Sequence, residues 1–311
     1  MTYKVLFVNH REKSCGVWQF GDRLFSPGLK AHPNEWYYIT VDNEHEHDHW
    51  RDILQPDVCV YNYYFSGATL PFLSRGKIAA QRERFKQIGI HHEGSILDMG
   101  FDAIIHQNPL NTDTRYFNIS RPVPDYVPVS WHCEIPVFSS FGFGLGGKGF
   151  TRIIEEIKKE YEHAIIRLNI PFAAFGDSDG TGAKLYSDAC HRLLEGSTGI
   201  QLQVTHNLLS ENELIDWLAM STCNCFFYGE NIGRGLTGTL DYCLAANKPI
   251  AITYSDQFLH FQDAPIHIED YSLRKIIEYG TKPLQKYKEQ WNSQAVVRDF
   301  ENIFDKVLGR N

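Results

Sequence analysis

The chain has 311 residues, 43% hydrophobic, 14% aromatic and 22% charged, a globular composition that excludes a disordered or fibrous protein. Thirty Lys and Arg against 38 Asp and Glu leave a formal charge of -8, which argues against a nucleic-acid binder held by counterion release. No apolar run approaches the roughly 20 residues of a membrane span. The opening MTYKVLFVNHREKSCG has an apolar stretch too short for a signal-peptide core. Seven scattered cysteines, several inside apolar runs, predict reduced thiols and a cytoplasmic protein.

At about 150 residues per domain, the length predicts two domains. Short apolar runs alternate with helical patterns, the signature of parallel α/β units. In chain order the first strands are expected at Lys4–Asn9, Trp36–Val41, Asp57–Tyr63, Gln87–His91, Ala103–His106 and Phe117–Arg121. They are continuous rather than alternating, as in a sheet covered on both faces. The first loop, with Gly16 ahead of Val17, Phe20 and Leu24, describes a strand-to-helix turn whose free amides suit phosphate. NEHEHDH at 43–49 has the density of a metal site but no second ligand cluster at zinc spacing, and is expected to be a solvated loop.

SRPVPDYVPVSWHCEIP carries four prolines in 17 residues and marks a domain boundary. The expected division is 1–130, 131–283 and a helical tail, 284–311, of one or two surface helices packing back on the first domain. A second strand series follows: Val137–Phe141, Ala164–Ile170, Ile200–Val204, Asn224–Tyr228, Pro249–Thr253 and Pro265–Ile268. Phe150, Ile153, Ile154, Ile157 and Tyr161 fall on one helix face. Ser210 with Glu213 forms a capping box, and Thr239 opens a helix that stops before Pro249. Asp177-Ser178-Asp179 imitates a manganese-binding acid pair, but GDSDGTG has the composition of a turn.

Three phosphate-binding patterns compete for VFSSFGFGLGGKGFTRIIEE. Gly142, Gly144 and Gly147 satisfy G-x-G-x-x-G, yet the next strand ends without the acid a dinucleotide site places on ribose. Gly142–Lys148 fits G-x-x-x-x-G-K, but Gly149 stands where Ser or Thr holds magnesium. The third pattern is a glycine-rich turn in which backbone amides and the Lys148 ammonium meet a diphosphate. Downstream, FFYGENIGRGLTGTLDY offers Glu230 past a strand end, then Gly233, Arg234 and Gly235, then Thr237-Gly238-Thr239 at a helix start. That is a second anion site, with exposed amides, hydroxyls and a guanidinium.

These segments resemble the GT-B glycosyltransferases, especially the large retaining nucleotide-sugar-dependent group (glycosyltransferase family 4-like). The matching residues are Gly146-Gly147-Lys148-Gly149-Phe150, Glu230-Asn231-Ile232-Gly233 and Asp241 through Ile250. They cover about 110 residues of the second half. The resemblance implies two Rossmann-like α/β domains facing each other across a cleft. It also implies hexosyl transfer from a nucleotide-diphosphate sugar to a glycan or other hydroxyl acceptor, with no required cofactor. By the family's roles, Gly147 and Lys148 meet the donor diphosphate. Asn231, Gly233, Arg234, Gly235, Thr237, Gly238 and Thr239 surround phosphates and sugar, with Glu230 on the donor sugar; Gly16, from the first domain's strand-to-helix turn, is a further donor-binding candidate. The family's ribose-binding Glu aligns with Tyr242, one position from Asp241, the nearest acid.

On the acceptor side, GIHHEGSILDMG ends a strand, and His92 and Glu93 join Glu230 as the catalytic candidates; His91, His10 and Asp22 are weaker ones. The alternatives are a nucleotide-sugar epimerase of the same fold, an NAD-dependent enzyme, or a degenerate homologue that only binds.

Overall fold

The computed structural model describes residues 3–64, 69–92, 99–230 and 235–310. It divides into two compact units. The first comprises residues 1–122 and 290–311 with a short stretch ending at Leu236, and the second comprises most of 123–289.

In the first unit, β1 (Val5–Asn9), α1 (Gly16–Ala31), β2 (Trp36–Thr40), α2 (Glu44–Leu54), β3 (Val58–Asn62), α3 (Arg75–Gln81), β4 (Lys86–His91), β5 (Ala103–His106) and β6 (Phe117–Asn118) follow in order. The strands form one parallel sheet in the order β2-β1-β3-β4-β5-β6. Successive strand residues point to opposite faces, and both faces are covered. Val5, Phe7, Val58 and Val60 face Phe20, Leu24 and Phe25 of α1, while Leu6, Val8, Cys59 and Tyr61 pack with Ile78 of α3.

Two elements differ from the sequence reading. The 43–49 segment is not a loop: Asn43 caps α2 by accepting the Glu46 amide at 3.0 Å, and Glu44 and Glu46 sit favourably in the first turn. The inward positions of α2 are His47 and Arg51, so no apolar period announces the helix. His47 is fully buried between Asp48 (2.8 Å) and the Tyr61 hydroxyl (3.2 Å).

The tail also differs from a surface helix. It folds as α9 (Gln285–Gln290) and α10 (Ser293–Val307), and Val296, Phe300, Ile303 and Phe304 of α10 complete the core under β1 and β2. Phe300 lies 5.3 Å from Phe7 and 6.1 Å from Trp36, ring to ring.

The second unit holds β7 (Val137–Phe141), α4 (Phe150–Glu160), β8 (Ala164–Asn169), α5 (Thr181–Leu193), β9 (Ile200–Thr205), α6 (Glu211–Ala219), β10 (Cys223–Phe226), α7 (Thr239–Ala246), β11 (Ile250–Ile252) and α8 (Leu273–Tyr279). Short 3-10 turns span Asp256–Phe261 and Lys282–Leu284. The parallel sheet runs β11-β10-β7-β8-β9, the 3-2-1-4-5 order of a Rossmann-like sheet. Phe150, Ile153, Ile154 and Ile157 of α4 pack on Phe138, Ile166 and Leu168. The strand expected at Pro265–Ile268 is reduced to one parallel bridge between Ile252 and His267. The unit opens with residues 123–136, which are pinned to α6: Asp216 accepts the Tyr126 hydroxyl at 2.7 Å and the Val129 amide at 2.9 Å.

Candidate functional site

β7 and β10 are hydrogen-bonded neighbours, yet the chain leaves them in opposite directions, toward β8 and toward β11. The loops after these two strands diverge, which makes the carboxyl edge between them the natural ligand crevice of such a sheet. The segments singled out in the sequence, 142–149 and 228–239, are those two loops.

They are tied together. The Gly147 carbonyl accepts the Gly229 amide at 2.9 Å. The Lys148 ammonium lies 4.2 Å from the centre of the Tyr228 ring. Tyr228 is 1% exposed and packs its ring 4.8 Å from that of Phe258, while its carbonyl accepts the Thr253 hydroxyl at 2.7 Å. Among the described residues its own buried hydroxyl has no hydrogen-bond partner, and it lies beside the Gly142 backbone.

Gly149 then caps α4 in the left-handed region, φ 65°. A Cβ there would stand 1.9 Å from the Phe227 carbonyl oxygen, so only glycine fits the turn that presents Lys148. Among the described residues no side chain caps α4 and no acid occupies its first turn, which leaves its first amides to a ligand or water.

Gly144 serves packing instead. A Cβ there would meet the Ala183 amide nitrogen at 2.3 Å, at the start of α5. Asp177 caps that helix, accepting from Gly182 at 2.6 Å and Ala183 at 2.9 Å. The acid-pair motif is therefore an α5 cap, with Asp179 bound to Thr181. At the end of β8, where a dinucleotide site would hold an acid, Asn169 is bound to Thr205 (2.8 Å) and the Asn207 carbonyl (3.0 Å).

At the opening of α7 the Thr237 and Thr239 hydroxyls lie 3.0 Å apart, and the Thr237 amide donates to the Gln257 carbonyl at 3.1 Å. Gly238 is the N-cap, without a side-chain bond. Gly235 and Gly238 are half-buried, Glu230 is exposed, and Asp241 is fully buried in the first turn of α7. Arg152 is paired with Glu269 at 3.0 Å. Asn231, Gly233 and Arg234 lie outside the described residues, as does Glu93.

The first unit has its own carboxyl-edge cluster. Asn62 donates to the Asn9 side chain at 2.9 Å and to the Val17 carbonyl at 2.8 Å. His92, 9% exposed, binds the Asn62 side-chain oxygen through Nε2 and the Gln107 amide through Nδ1. Arg121, fully buried, donates to the Gln107 carbonyl and stacks over Phe20 at 4.8 Å. Burial, with His91 and Arg121 nearby, holds the His92 ring well below its usual pKa. Both ring nitrogens are thus engaged in a buried chain of side chains, a different setting from the open acid–base group the sequence suggests. Burial likewise pushes the pKa of His10 down to about 4. Gly16 is exposed at the first position of α1 with open space around it.

Among the described residues no three His, Cys, Asp or Glu side chains are grouped to hold a metal ion, and no helix is long and apolar enough to cross a membrane. The sequence reading missed Tyr228 as a partner of Lys148 and missed the pairing of Asn9 with Asn62. An aromatic at a strand end and polar residues 53 positions apart carry no local signal.

No family model matches the chain, and no curated protein matches it by sequence. Solved structures do match. A glycosyltransferase from Rickettsia africae aligns over the whole of both chains at 9% identity and a TM-score of 0.65. Anabaena HepE in complex with UDP aligns over 97% of this chain and 100% of that one, at 12% identity and 0.64. Sucrose-phosphate synthase from Thermosynechococcus elongatus aligns over 99% and 100%, at 8% identity and 0.68. The chain has the GT-B fold. Its two Rossmann-like units are the two parallel sheets described above, and the Lys148 turn lies at the strand-order reversal of the second.

Proposed function

We propose that this chain is a glycosyltransferase that moves a hexosyl unit from a nucleotide-diphosphate sugar to a saccharide or other hydroxyl acceptor. The observation that carries the reading is the joining of the two loops after β7 and β10: one ammonium, Lys148, and the uncapped amides of α4 at a single strand-order reversal. Such a group of donors suits a diphosphate.

In the reaction the acceptor oxygen bonds to the anomeric carbon, the bond from that carbon to the diphosphate oxygen breaks, and the acceptor releases its proton. Negative charge grows on the leaving diphosphate. Lys148 and the amides at the α4 and α7 starts offset it, and a preorganised donor of this kind is worth roughly 10²–10³ in rate. Gly147, Gly235, Thr237, Gly238 and Thr239 are the donor-binding residues of this scheme, and Asn231, Gly233 and Arg234, outside the described residues, are proposed to bind the donor with them. Exposed Glu230 accepts hydroxyls of the donor sugar, and Asp241, in the first turn of α7, is the donor-binding acid. Gly16, exposed at the first position of α1, is the donor-binding candidate of the first unit. His92 positions its strand end, which leaves Glu93 as the first-unit candidate for the acceptor proton. HepE, of the same fold, binds UDP and glucose, so UDP-glucose heads the donors to test. No cofactor is needed in this scheme.

The test is nucleoside-diphosphate release from a panel of sugar nucleotides, with and without saccharide acceptors. Acceptor-dependent release that falls at least about a hundredfold in Lys148→Ala supports the reading. Interconversion of the donor sugar without acceptor would replace it with the epimerase alternative.

A further inference from the structure

The first unit contains a cavity of about 320 Å³ between the loop after β5 and the outer side of α10, at the small end of the roughly 300–1,000 Å³ of small-molecule sites. None of its walls belongs to the donor site. Asn111, Tyr116, Asn118, Asp299, Asn302 and Lys306 supply its chemistry.

The loop wall is braced by its own amides. Asn118 donates to the Asn111 carbonyl at 2.7 Å and the Pro109 carbonyl at 3.3 Å. Asn111 donates to the Asp113 carbonyl at 3.1 Å and the Asn118 side-chain oxygen at 3.2 Å. Arg115 grips both carboxylate oxygens of Asp113. On the helix wall, Asp299 accepts the Ser120 amide through Oδ2 at 2.8 Å. Asn111, Asn118, Asp113 and Asp299 are thus held in place before any ligand arrives.

Their mixture is selective. Amide side chains offer donors and acceptors together, as vicinal hydroxyls require. The lining holds two carboxylates, Asp113 and Asp299, against one ammonium, Lys306, and Arg115 is taken up by Asp113, so the walls offer no excess of positive charge to draw a phosphate. A half-buried ring, Tyr116, provides apolar surface with a polar tip. We propose that this cavity is a saccharide subsite, in which one uncharged sugar residue hydrogen-bonds to Asn111, Asp299 and Asn302 and lays its C–H face on Tyr116. Occupation of the subsite needs no nucleotide, so it stands or falls separately from the transfer reading.

The probes are glucose, galactose, mannose, N-acetylglucosamine, maltose and lactose, tested without nucleotide by saturation-transfer NMR and calorimetry on the full chain. The expected result is binding of at least one sugar, lost in Asn302→Trp and weakened about fivefold or more in Asn302→Ala. Exposed Asn302 makes both changes mild for the fold, within about 0.5 kcal/mol for a surface position, and thermal unfolding verifies it. Lys148→Ala must retain the binding. Silence across the panel, sugar binding that survives Asn302→Trp, or sugar binding lost in Lys148→Ala each overturns the proposal.

Discussion

The Lys148 ammonium sits 4.2 Å from the centre of the Tyr228 ring, and the ring is itself fixed by Phe258 and by the bond from Thr253 to its backbone. A cation over an aromatic face gains about 0.5–1 kcal/mol when exposed and about 2 when desolvated. Tyr228→Leu is therefore expected to weaken nucleoside-diphosphate binding about three- to tenfold in calorimetric titrations. Tyr228→Phe keeps the ring and removes a buried hydroxyl that has no partner among the described residues, so the ligand-free protein is expected to gain about 1 kcal/mol in denaturant unfolding. A Phe variant less stable than the parent would refute that reading of the hydroxyl.

The turn that presents Lys148 depends on one glycine and tolerates change at another. Gly149→Ala meets both a left-handed φ of 65° and the Phe227 carbonyl oxygen at 1.9 Å, and is expected to cost at least about 2 kcal/mol. Gly146 has open space around it, so Gly146→Ala is expected to stay within about 0.5 kcal/mol. Equal melting temperatures for the two variants would contradict this account of the turn.

Asp177 is spent on the amides of Gly182 and Ala183. Asp177→Ala is expected to cost about 1–2 kcal/mol, the worth of a helix cap, whereas Asp179→Ala, at an exposed position, should cost less. Thermal unfolding of the two variants checks the order.

Acid sensitivity follows from buried histidines. Burial pushes the pKa of His10 and of His47 down to about 4, and that of His92 well below its usual value. The unfolded chain protonates these rings near pH 6.5 and the folded chain does not, so the unfolded state binds more protons and stability rises with pH. Their contribution is present above about pH 6.5 and is lost as pH falls toward 4. The melting temperature is expected to drop steadily over that window, less steeply in His47→Gln; a flat profile from pH 7 to 4.5 would contradict the assignment.

The parallel sheets were legible because strands buried on both faces read as unbroken apolar runs, as in VLFV and VCVY. α2 was not, because its inward face is made by His47 and Arg51, whose burial is satisfied by Asp48, Asp52 and Tyr61. α10 is a helix within the expected tail, but its depth in the core is hidden because its four core residues are diluted among charged ones. In the candidate site, Lys148 and the turn around it follow from a glycine-rich strand-to-helix junction, a local pattern. The Tyr228 seat, the Asn9–Asn62–His92–Gln107 chain and the capping role of Asp177 are products of topology, which brings strand ends together across long stretches of sequence.

The most direct test of the central claim is calorimetric titration of the intact chain with UDP, GDP and ADP, beside Lys148→Ala. The account predicts that one nucleoside diphosphate binds the parent and binds Lys148→Ala at least about tenfold more weakly, with the unfolding temperature unchanged. Binding that is equally tight in Lys148→Ala, or no binding of any of the three, would contradict it.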